Sequence, residues 1–225
     1  ELDMGGTGSY KMVLKEGGSM GAIYVNTLKT DEHGAIYVHP SDQVVVADAN
    51  HFVYAGNSSP KYNAGWGNTL SWQGISLGCL LTARVGGIVV SNTQAIMDAF
   101  GVSKASADAR DAGGALVNGR RIPAKDYYQT VGGGSSGGIG SMYCYSATNV
   151  RLSELTLGYN MPVKKWCNWV KELNLSLIGR NLFFLYRKAP YDPELTANTG
   201  TYYQGVDYFM LPSLRNVGFS VKVEF

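Results

Sequence analysis

Two amphipathic runs joined by a two-residue turn constrain the fold of this chain most strongly. From Lys61 to Trp72 apolar residues alternate with small polar ones, and after Gln73-Gly74 the alternation continues from Ile75 to Gly86. A period of two is that of a strand with unlike faces, and the short turn between two such runs indicates a hairpin. Each run has the length of roughly 9–11 residues that a tilted strand needs to cross a membrane.

Three later segments repeat the alternation. Together with the hairpin they predict strands at 61–72, 75–86, 150–160, 173–186 and 213–225. In the last of these, Val217 to Val223 alternate with Gly218, Ser220 and Lys222, and the chain then stops on Phe225. The residues from Arg151 to Ser153 are out of phase with the rest of their strand, which is typical of a β-bulge.

The connections between these strands alternate in length. Short links lie at 73–74 and 161–172, whereas long ones lie at 87–147 and 187–212. Transmembrane barrels have short periplasmic turns and long extracellular loops. Trp72, Tyr159 and Phe225 all fall at the same, periplasmic, end of their predicted strands, where interfacial aromatic residues belong. A soluble sandwich gives no reason for this sorting.

These patterns predict an all-β, antiparallel transmembrane β-barrel with long extracellular loops at 87–147 and 187–212. We expect residues 1–60, which are rich in glycine, to be an irregular extracellular loop region, and residues 61–225 to carry the C-terminal barrel strands. A short helix is predicted from Asn92 to Phe100, with Gly101 as its stop, and a helical stretch from Val163 to Glu172. Five strands cannot close a barrel without leaving an open edge in hydrocarbon, so further strands must complete it.

Composition agrees with a β protein that has one face away from water. Charged residues make up 16% of the chain, against about a quarter in an average soluble domain. The 29 glycines and 15 tyrosines fit an outer-membrane barrel but also a secreted β-sandwich. The apolar runs are too short for a transmembrane helix, and a net charge of +2 without a basic run gives no indication of nucleic acid.

Catalytic and metal-binding patterns are missing from the sequence. The three histidines (His33, His39 and His51) lack the spacing that binds metal on a helix, and we expect them in exposed loops. The glycine run at 132–138 lacks the ending of a phosphate-binding loop. Cysteines 79, 144 and 167 show no C-x-x-C spacing; we expect packing residues with at most one bridged pair, and the disulfide state stays open. We therefore expect no enzyme, no cofactor and no metal.

Several stretches carry a resemblance to a known family. They are Glu16–Tyr24, Gly56–Tyr62, Val150–Tyr159 with Pro162, Gly179–Phe183, Tyr191–Glu194, Tyr202–Tyr208 and the closing strand to Phe225. In these stretches the chain resembles the C-terminal part of SusC/RagA-type TonB-dependent transporters of Bacteroidetes outer membranes. Val25, where the family often repeats glycine, and Gln204, where it often has proline, are modest departures.

The resemblance implies a plugged barrel of the class with about 22 strands, located in the cell outer membrane, that imports glycans or peptides. It implies a SusD-like lipoprotein at the extracellular mouth, and energy supplied by TonB through a plug that is N-terminal to this chain. The remaining barrel strands of the same transporter and outer-membrane lipid are further partners. By the same resemblance Phe225 is a barrel-assembly signal.

Substrate contacts are expected on the outer loops, which can vary without disturbing a barrel. The candidates are Tyr127, Tyr128, Tyr202, Tyr203 and Asp207, because a tyrosine ring can stack on a sugar while its hydroxyl forms a hydrogen bond. Polar strand residues such as Arg84, Arg180 and Lys222 would face the wet lumen. Two alternatives stay open: a soluble or surface carbohydrate-binding β-domain without transport, and a surface hydrolase.

Overall fold

The computed structural model describes residues 1–133, 138–163, 169–195, 197, 200 and 203–225. The chain divides into two compact units. The first unit comprises residues 1–59, 87–146 and 194–211, and the second unit comprises residues 60–86, 147–193 and 212–225. Each unit is therefore built from three separate segments of the sequence.

The described residues form fourteen strands and three α-helices. In chain order they are β1 Leu2–Gly6, β2 Tyr10–Leu14, β3 Ala22–Leu28, β4 Ala47–Asn57, β5 Tyr62–Trp72, β6 Ile75–Val85, β7 Ile88–Ser91, α1 Asn92–Ala99, α2 Lys104–Asp111, β8 Ala115–Val117, β9 Arg120–Ile122, α3 Ala124–Gly132, β10 Cys144–Ser146, β11 Asn149–Met161, β12 Glu172–Arg187, β13 Val206–Asp207 and β14 Asn216–Glu224. A short 3₁₀ turn, Gly140–Tyr143, precedes β10. Within this described part, no helix is both long enough and apolar enough to cross a membrane.

The second unit is a five-stranded sheet with the order β14-β12-β11-β6-β5. All of its strand pairs are antiparallel, as the alternating pattern predicts. The hairpin turn between β5 and β6 has positive φ at both Gln73 (48°) and Gly74 (86°), which is the conformation that matches the twist of the flanking strands. The sheet is open, with β5 and β14 at its edges, so the described strands do not form a closed barrel.

One face of this sheet is apolar and exposed. A row of five apolar side chains crosses every strand, because each residue is the cross-strand partner of the next: Leu70, Leu77, Leu157, Leu177 and Phe219. Their exposed fractions lie between 41% and 67%. Cross-strand neighbours on one face are in contact with each other, so the row is a continuous apolar band that no described part of the chain covers.

The opposite face of the sheet is polar. The row next to the apolar band, which we call the serine row, consists of Ser71, Ser76, Gly158, Ser176 and Ser220. Farther along, Arg180 on β12 forms an ion pair with Glu154 on β11 at 3.0 Å. The predicted bulge in β11 is confirmed by a register shift between Leu152 and Glu154 against both neighbouring strands.

The first unit corrects the expectation that residues 1–60 are irregular. Strands β1 to β4 form an antiparallel four-stranded sheet, and Tyr10, Met12, Ile23 and Val25 lie in its core. The prediction was wrong because irregular pairing breaks the period of two. Register shifts interrupt β1 against β2 once and β3 against β4 twice, so the apolar residues do not alternate over a recognisable length.

The described chain is mostly antiparallel β-sheet, as predicted, but it has two helices, α2 and α3, beyond the predicted α1, and all three lie in the first unit. Helix α1 occupies the predicted position, but its N-cap is Ser91, whose side chain accepts a hydrogen bond from the backbone N–H of Gln94, and not Asn92. The stop at Gly101 has a left-handed φ of 71°. Helix α3 ends at Gly132, inside the predicted glycine loop, and residues 134–137 of that loop lie outside the described residues.

Half of the helical stretch predicted from Val163 to Glu172, residues 164–168, lies outside the described residues, and the described end of that stretch, 169–172, is not helical. Strand β12 begins at Glu172. Of the three cysteines, Cys79 and Cys144 are free thiols, and Cys167 is likewise outside the described part of the chain.

Candidate functional site

The predicted substrate residues that the structure describes all belong to the first unit, and it places them in two regions. Tyr127 and Tyr128 lie on α3, whereas Tyr203 and Asp207 lie at β13. Tyr202 lies outside the described residues. The two regions are therefore separate candidates for contact with a ligand, and each has its own surroundings.

Asp207 is an interior residue with a structural partner. Strand β13 pairs in parallel with β7, which sets Asp207 opposite Ser91, and the Ser91 hydroxyl donates a hydrogen bond of 2.9 Å to the Asp207 carboxylate. The same hydroxyl oxygen caps α1 by accepting from the N–H of Gln94 at 3.1 Å. Asp207 is only 4% exposed. Its carboxylate holds the cap of α1 in place, and this burial argues against the predicted contact with substrate.

Tyr203 presents an open ring. It is 37% exposed, and its phenol lies close enough to Tyr10 to influence its ionisation. Burial, and to a lesser degree Tyr203, raise the pKa of Tyr10 to about 12. Tyr10 therefore stays neutral at physiological pH as part of the core, while the ring of Tyr203 remains available at the surface.

Tyr127 and Tyr128 form an edge-to-face pair on α3, with ring centroids 5.1 Å apart. Tyr127 packs against the core around Val131 and Ile139. The Tyr128 hydroxyl donates a hydrogen bond of 3.2 Å to the carbonyl oxygen of Ala105. Burial raises the pKa of both phenols, so both are neutral donors at ordinary pH. Tyr127 is occupied by packing, and only Tyr128 reaches an open space.

That space is a pocket of about 300 Å³ formed by residues of α1, α2, α3 and their connections. We call it the helical pocket. The residues that matter for its chemistry are Asp98, Phe100, Arg110, Ala124, Lys125 and Tyr128. Phe100 is 72% exposed, whereas Asp98 is 5% exposed. The helical pocket therefore combines aromatic walls, two cationic side chains and one buried carboxylate.

The buried carboxylate of Asp98 is fully engaged. One oxygen accepts a hydrogen bond from the Gln94 side-chain amide at 2.8 Å, and the other accepts from the Tyr143 hydroxyl at 2.9 Å. Burial and the neighbouring Asp98 raise the pKa of Tyr143 well above its usual range, so this hydroxyl remains a donor. Sequence reasoning missed Asp98 because Tyr143 is 45 residues away and no local pattern announces the contact.

The second unit contains a buried ion pair, which we call the Arg151 clamp. Nη2 of Arg151 lies 2.8 Å from Oδ1 of Asp192, and the two side chains are 7% and 4% exposed. The Arg151 guanidinium also lies over the ring of Phe184 at 4.4 Å. The other carboxylate oxygen of Asp192 accepts from the backbone N–H of Ser213 at 3.3 Å. The clamp thus joins β11 to the chain after β12 and to the chain before β14.

Phe225 follows β14 directly and is 75% exposed. Its carbonyl oxygen accepts a hydrogen bond of 2.6 Å from the Lys171 ammonium. The backbone N–H of Lys171 donates a second one, of 2.7 Å, to the backbone carbonyl oxygen of Glu224. These contacts fix the backbone beside Phe225 and leave its ring open. Its role as an assembly signal stays a prediction.

Metal ligands do not cluster in the part of the chain that the structure describes. No group of three or more histidine, cysteine, aspartate or glutamate side chains there could hold an ion. The exposed cation–carboxylate pairs, such as Lys104 with Asp108 at 2.7 Å, are ordinary surface contacts.

Comparison with known proteins gives relatives but no matching family model. The chain is 21% identical over 240 residues to TonB-dependent receptor P3 of Formosa agariphila, a match that covers 95% of this chain and 23% of the receptor. The fold matches a chain of the RagAB peptide importer in its open-open state, with a TM-score of 0.63 and 18% identity. The closed-closed state of the same importer gives a TM-score of 0.59 and 17% identity.

The structural match to the open-open state covers 100% of this chain and 25% of the importer chain. This chain therefore spans about a quarter of the length of the proteins it matches. The resemblance to SusC/RagA-type TonB-dependent transporters that the sequence motifs predict is confirmed. The similar proteins are a receptor and an importer, not enzymes.

Proposed function

We propose that this chain supplies strands and outer loops of a SusC/RagA-type TonB-dependent transporter that imports glycans or peptides across the outer membrane. The observation that carries the proposal is the two-faced sheet of the second unit. One face has the exposed apolar band, which crosses the strands from Leu70 on β5 to Phe219 on β14. The other face has the serine row and the ion pair between Glu154 and Arg180.

A band of this kind is unfavourable in water and favourable in a bilayer. Exposed apolar patches on soluble monomers rarely exceed a few hundred Å², because each apolar Å² kept from water contributes about 25 cal/mol. In a transmembrane barrel the same face meets acyl chains, while the alternate residues line a wet interior. Lipid on one side and water on the other account for both faces of the sheet.

The edge strands β5 and β14 fit the same proposal. Each has an unpaired edge in the described structure, and an open edge in hydrocarbon costs several kcal/mol for every unsatisfied backbone group. The remaining strands of the same transporter would pair with them and close the barrel. The family resemblance assigns the plug and the TonB contact to other parts of that transporter.

The outer parts of the transporter would contact substrate and a SusD-like lipoprotein. Of the residues predicted for substrate, Tyr128 and Tyr203 have rings that reach open space. They suit the stacking and hydrogen bonding that a sugar or a peptide side chain needs. Phe225 would serve as the assembly signal at the end of the last strand.

Fractionation of cells that make the full transporter tests the location. We expect the protein in the outer-membrane fraction, released only by detergent. A soluble carbohydrate-binding domain, the alternative, would instead remain in solution without detergent. Incubation with candidate glycans, followed by analysis of chain length, tests the hydrolase alternative, and we expect no shortened products.

Paired substitutions test which face meets lipid. Leu77→Arg or Val221→Arg places a charge on the apolar face and should cost about 2–4 kcal/mol near the bilayer midplane. Ser76→Arg, one residue along the same strand, places the same charge on the polar face and should be mild. Folding into lipid vesicles, followed by the heat-dependent gel shift of intact barrels, measures both. Equal losses at Leu77 and Ser76 would contradict the proposed faces.

A further inference from the structure

We infer that the helical pocket binds a carboxylate group carried on a small ligand, either an acidic residue of a peptide or a uronic-acid sugar. This inference rests on the proposed function only in treating the ligand as a nutrient that reaches the outer side of the transporter. The binding itself follows from the charges and walls of the pocket.

Two cations of the pocket are without a carboxylate partner in the structure's described part. The guanidinium of Arg110 donates through Nη1 to the carbonyl oxygen of Gly101 at 2.9 Å, which fixes its position without neutralising its charge. Lys125 is exposed and, among the described residues, forms no ion pair. An oriented guanidinium with further donors is suited to bind a carboxylate.

The nearby acidic side chains already have their own partners. Both oxygens of Asp108 accept from Lys104, at 2.7 and 2.9 Å. Asp98 is held by the Gln94 amide and the Tyr143 hydroxyl. Asp98 is the one carboxylate among the lining residues, against the two cations Arg110 and Lys125, so the pocket keeps a net charge of +1 toward an incoming ligand.

Gly101 is what allows Arg110 to reach this position. Its φ is 71°, and a Cβ at this residue would lie 2.8 Å from Nη1 of Arg110. A contact under about 3 Å forces an atom to move, so any side chain at residue 101 would displace the guanidinium. The backbone at this position therefore positions the cation of the pocket.

The walls and the volume limit the ligand. Phe100 and Tyr128 contribute aromatic side chains to the lining, and Ala124 contributes a small apolar one. A volume of about 300 Å³ is at the lower end of ligand pockets, which is room for one side chain or one sugar ring. A short side chain or a single sugar ring therefore fits this space better than a long apolar chain, with its carboxylate at the cations and its apolar part against the rings.

Binding to the detergent-solubilised full transporter tests the inference by calorimetry. The probes are a blocked Ala-Glu-Ala tripeptide with its Gln counterpart, and a glucuronic-acid disaccharide with its glucose counterpart. At least one acidic probe should bind more tightly than its neutral counterpart, and the acidic probe that binds identifies the source of the carboxylate. Equal affinity for every acidic and neutral pair overturns the inference.

Charge variants locate the site. Arg110→Gln and Lys125→Gln should each weaken the acidic probe about 10- to 100-fold, the range for a lost charge-assisted hydrogen bond. Arg120→Gln on β9 and Lys15→Gln after β2 remove the same charges from exposed residues of the first unit that do not line the pocket. Equal weakening in these controls would mean that net charge, not the pocket, attracts the ligand.

A charge-neutral variant gives an independent readout. Gly101→Ala should weaken the binding of the acidic probe, because the added Cβ displaces Arg110. The control is Gly113→Ala: Gly113 has a φ of 81° and open space around its Cβ position, so this change introduces similar backbone strain without a contact to Arg110. An unchanged affinity in Gly101→Ala would overturn the role given to Arg110. If the protein proves soluble without detergent but still binds the acidic probe here, the proposed transport function fails and the inference stands.

Discussion

The Arg151 clamp offers a direct test of how the second unit holds its long connections. Asp192→Leu removes the carboxylate and leaves the Arg151 guanidinium 7% exposed without its counter-ion. Breaking a buried pair from one side costs about 3–5 kcal/mol, because the remaining charge is still desolvated. Replacing both partners, as in Arg151→Met with Asp192→Leu, should cost far less, since an apolar pair of similar volume has no charge to desolvate.

Hydrogen exchange of the full transporter in detergent measures the effect locally. The amide of Ser213 donates to Asp192, so its exchange reports opening of the clamp. At about 1.4 kcal/mol for each factor of ten, the single variant should exchange at least about a hundredfold faster at this amide. The double variant loses the same Ser213 hydrogen bond but should show a smaller change.

The ion pair between Glu154 and Arg180 is the matched control, because it also involves a residue of β11 and closes to 3.0 Å but is 39–61% exposed. Glu154→Gln should change the free energy of opening measured by hydrogen exchange by less than about 1 kcal/mol, as is usual for the loss of an exposed ion pair. The reasoning would be refuted if Asp192→Leu had no greater effect than Glu154→Gln, or if the double variant were as perturbed as the single one.

Two further predictions concern the first unit. Gly132→Ala should destabilise the contact of α3 with α1 by about 1–3 kcal/mol, because the added Cβ would meet the Ala95 carbonyl oxygen and lie 2.7 Å from the Ala99 nitrogen. Faster hydrogen exchange of the α1 amides would show this loss. The control is Gly218→Ala, since the Cβ position at Gly218 is surrounded by open space. Burial raises the pKa of Cys144 to about 11, and the thiolate is the form that reacts with alkylating reagents. In a variant whose other cysteines are replaced by serine, we therefore expect alkylation of the folded protein to be slow at pH 8 and to become faster up to about pH 11. Rapid labelling at pH 8 would contradict that burial.

The sheet of the second unit could be predicted from sequence because its strands alternate apolar and polar residues over most of their length. From Val217 to Val223 every second residue is apolar, and the structure pairs these residues with Gly179 to Leu173 on β12 in unbroken register. A regular period of two is the signal that strand recognition depends on. Where the period fails, at Leu152, the failure itself predicted the bulge.

The sites could not be predicted in the same way, because their geometry depends on contacts between distant residues. Asp207 follows a loop rich in aromatic residues and looked available to a ligand, yet pairing with β7 buries it against Ser91, which is 116 residues away. Arg151 and Asp192 both lie in stretches that carry the family resemblance, but nothing in either stretch shows that their side chains meet. A motif identifies a segment without giving its partner.

The first unit resisted prediction for a related reason. Its core needs three segments that strands of the second unit separate in sequence, and its short sheet places β7 between β10 and the parallel strand β13. Even the 3₁₀ turn at Gly140 is fixed from afar, by a hydrogen bond of 2.7 Å from its N–H to the Asn26 side chain, 114 residues earlier. Contacts between such distant residues close long loops, and the entropic cost of closing them must be offset by the packing of the segments against one another. The first unit should therefore gain its hydrogen-exchange protection as one cooperative step.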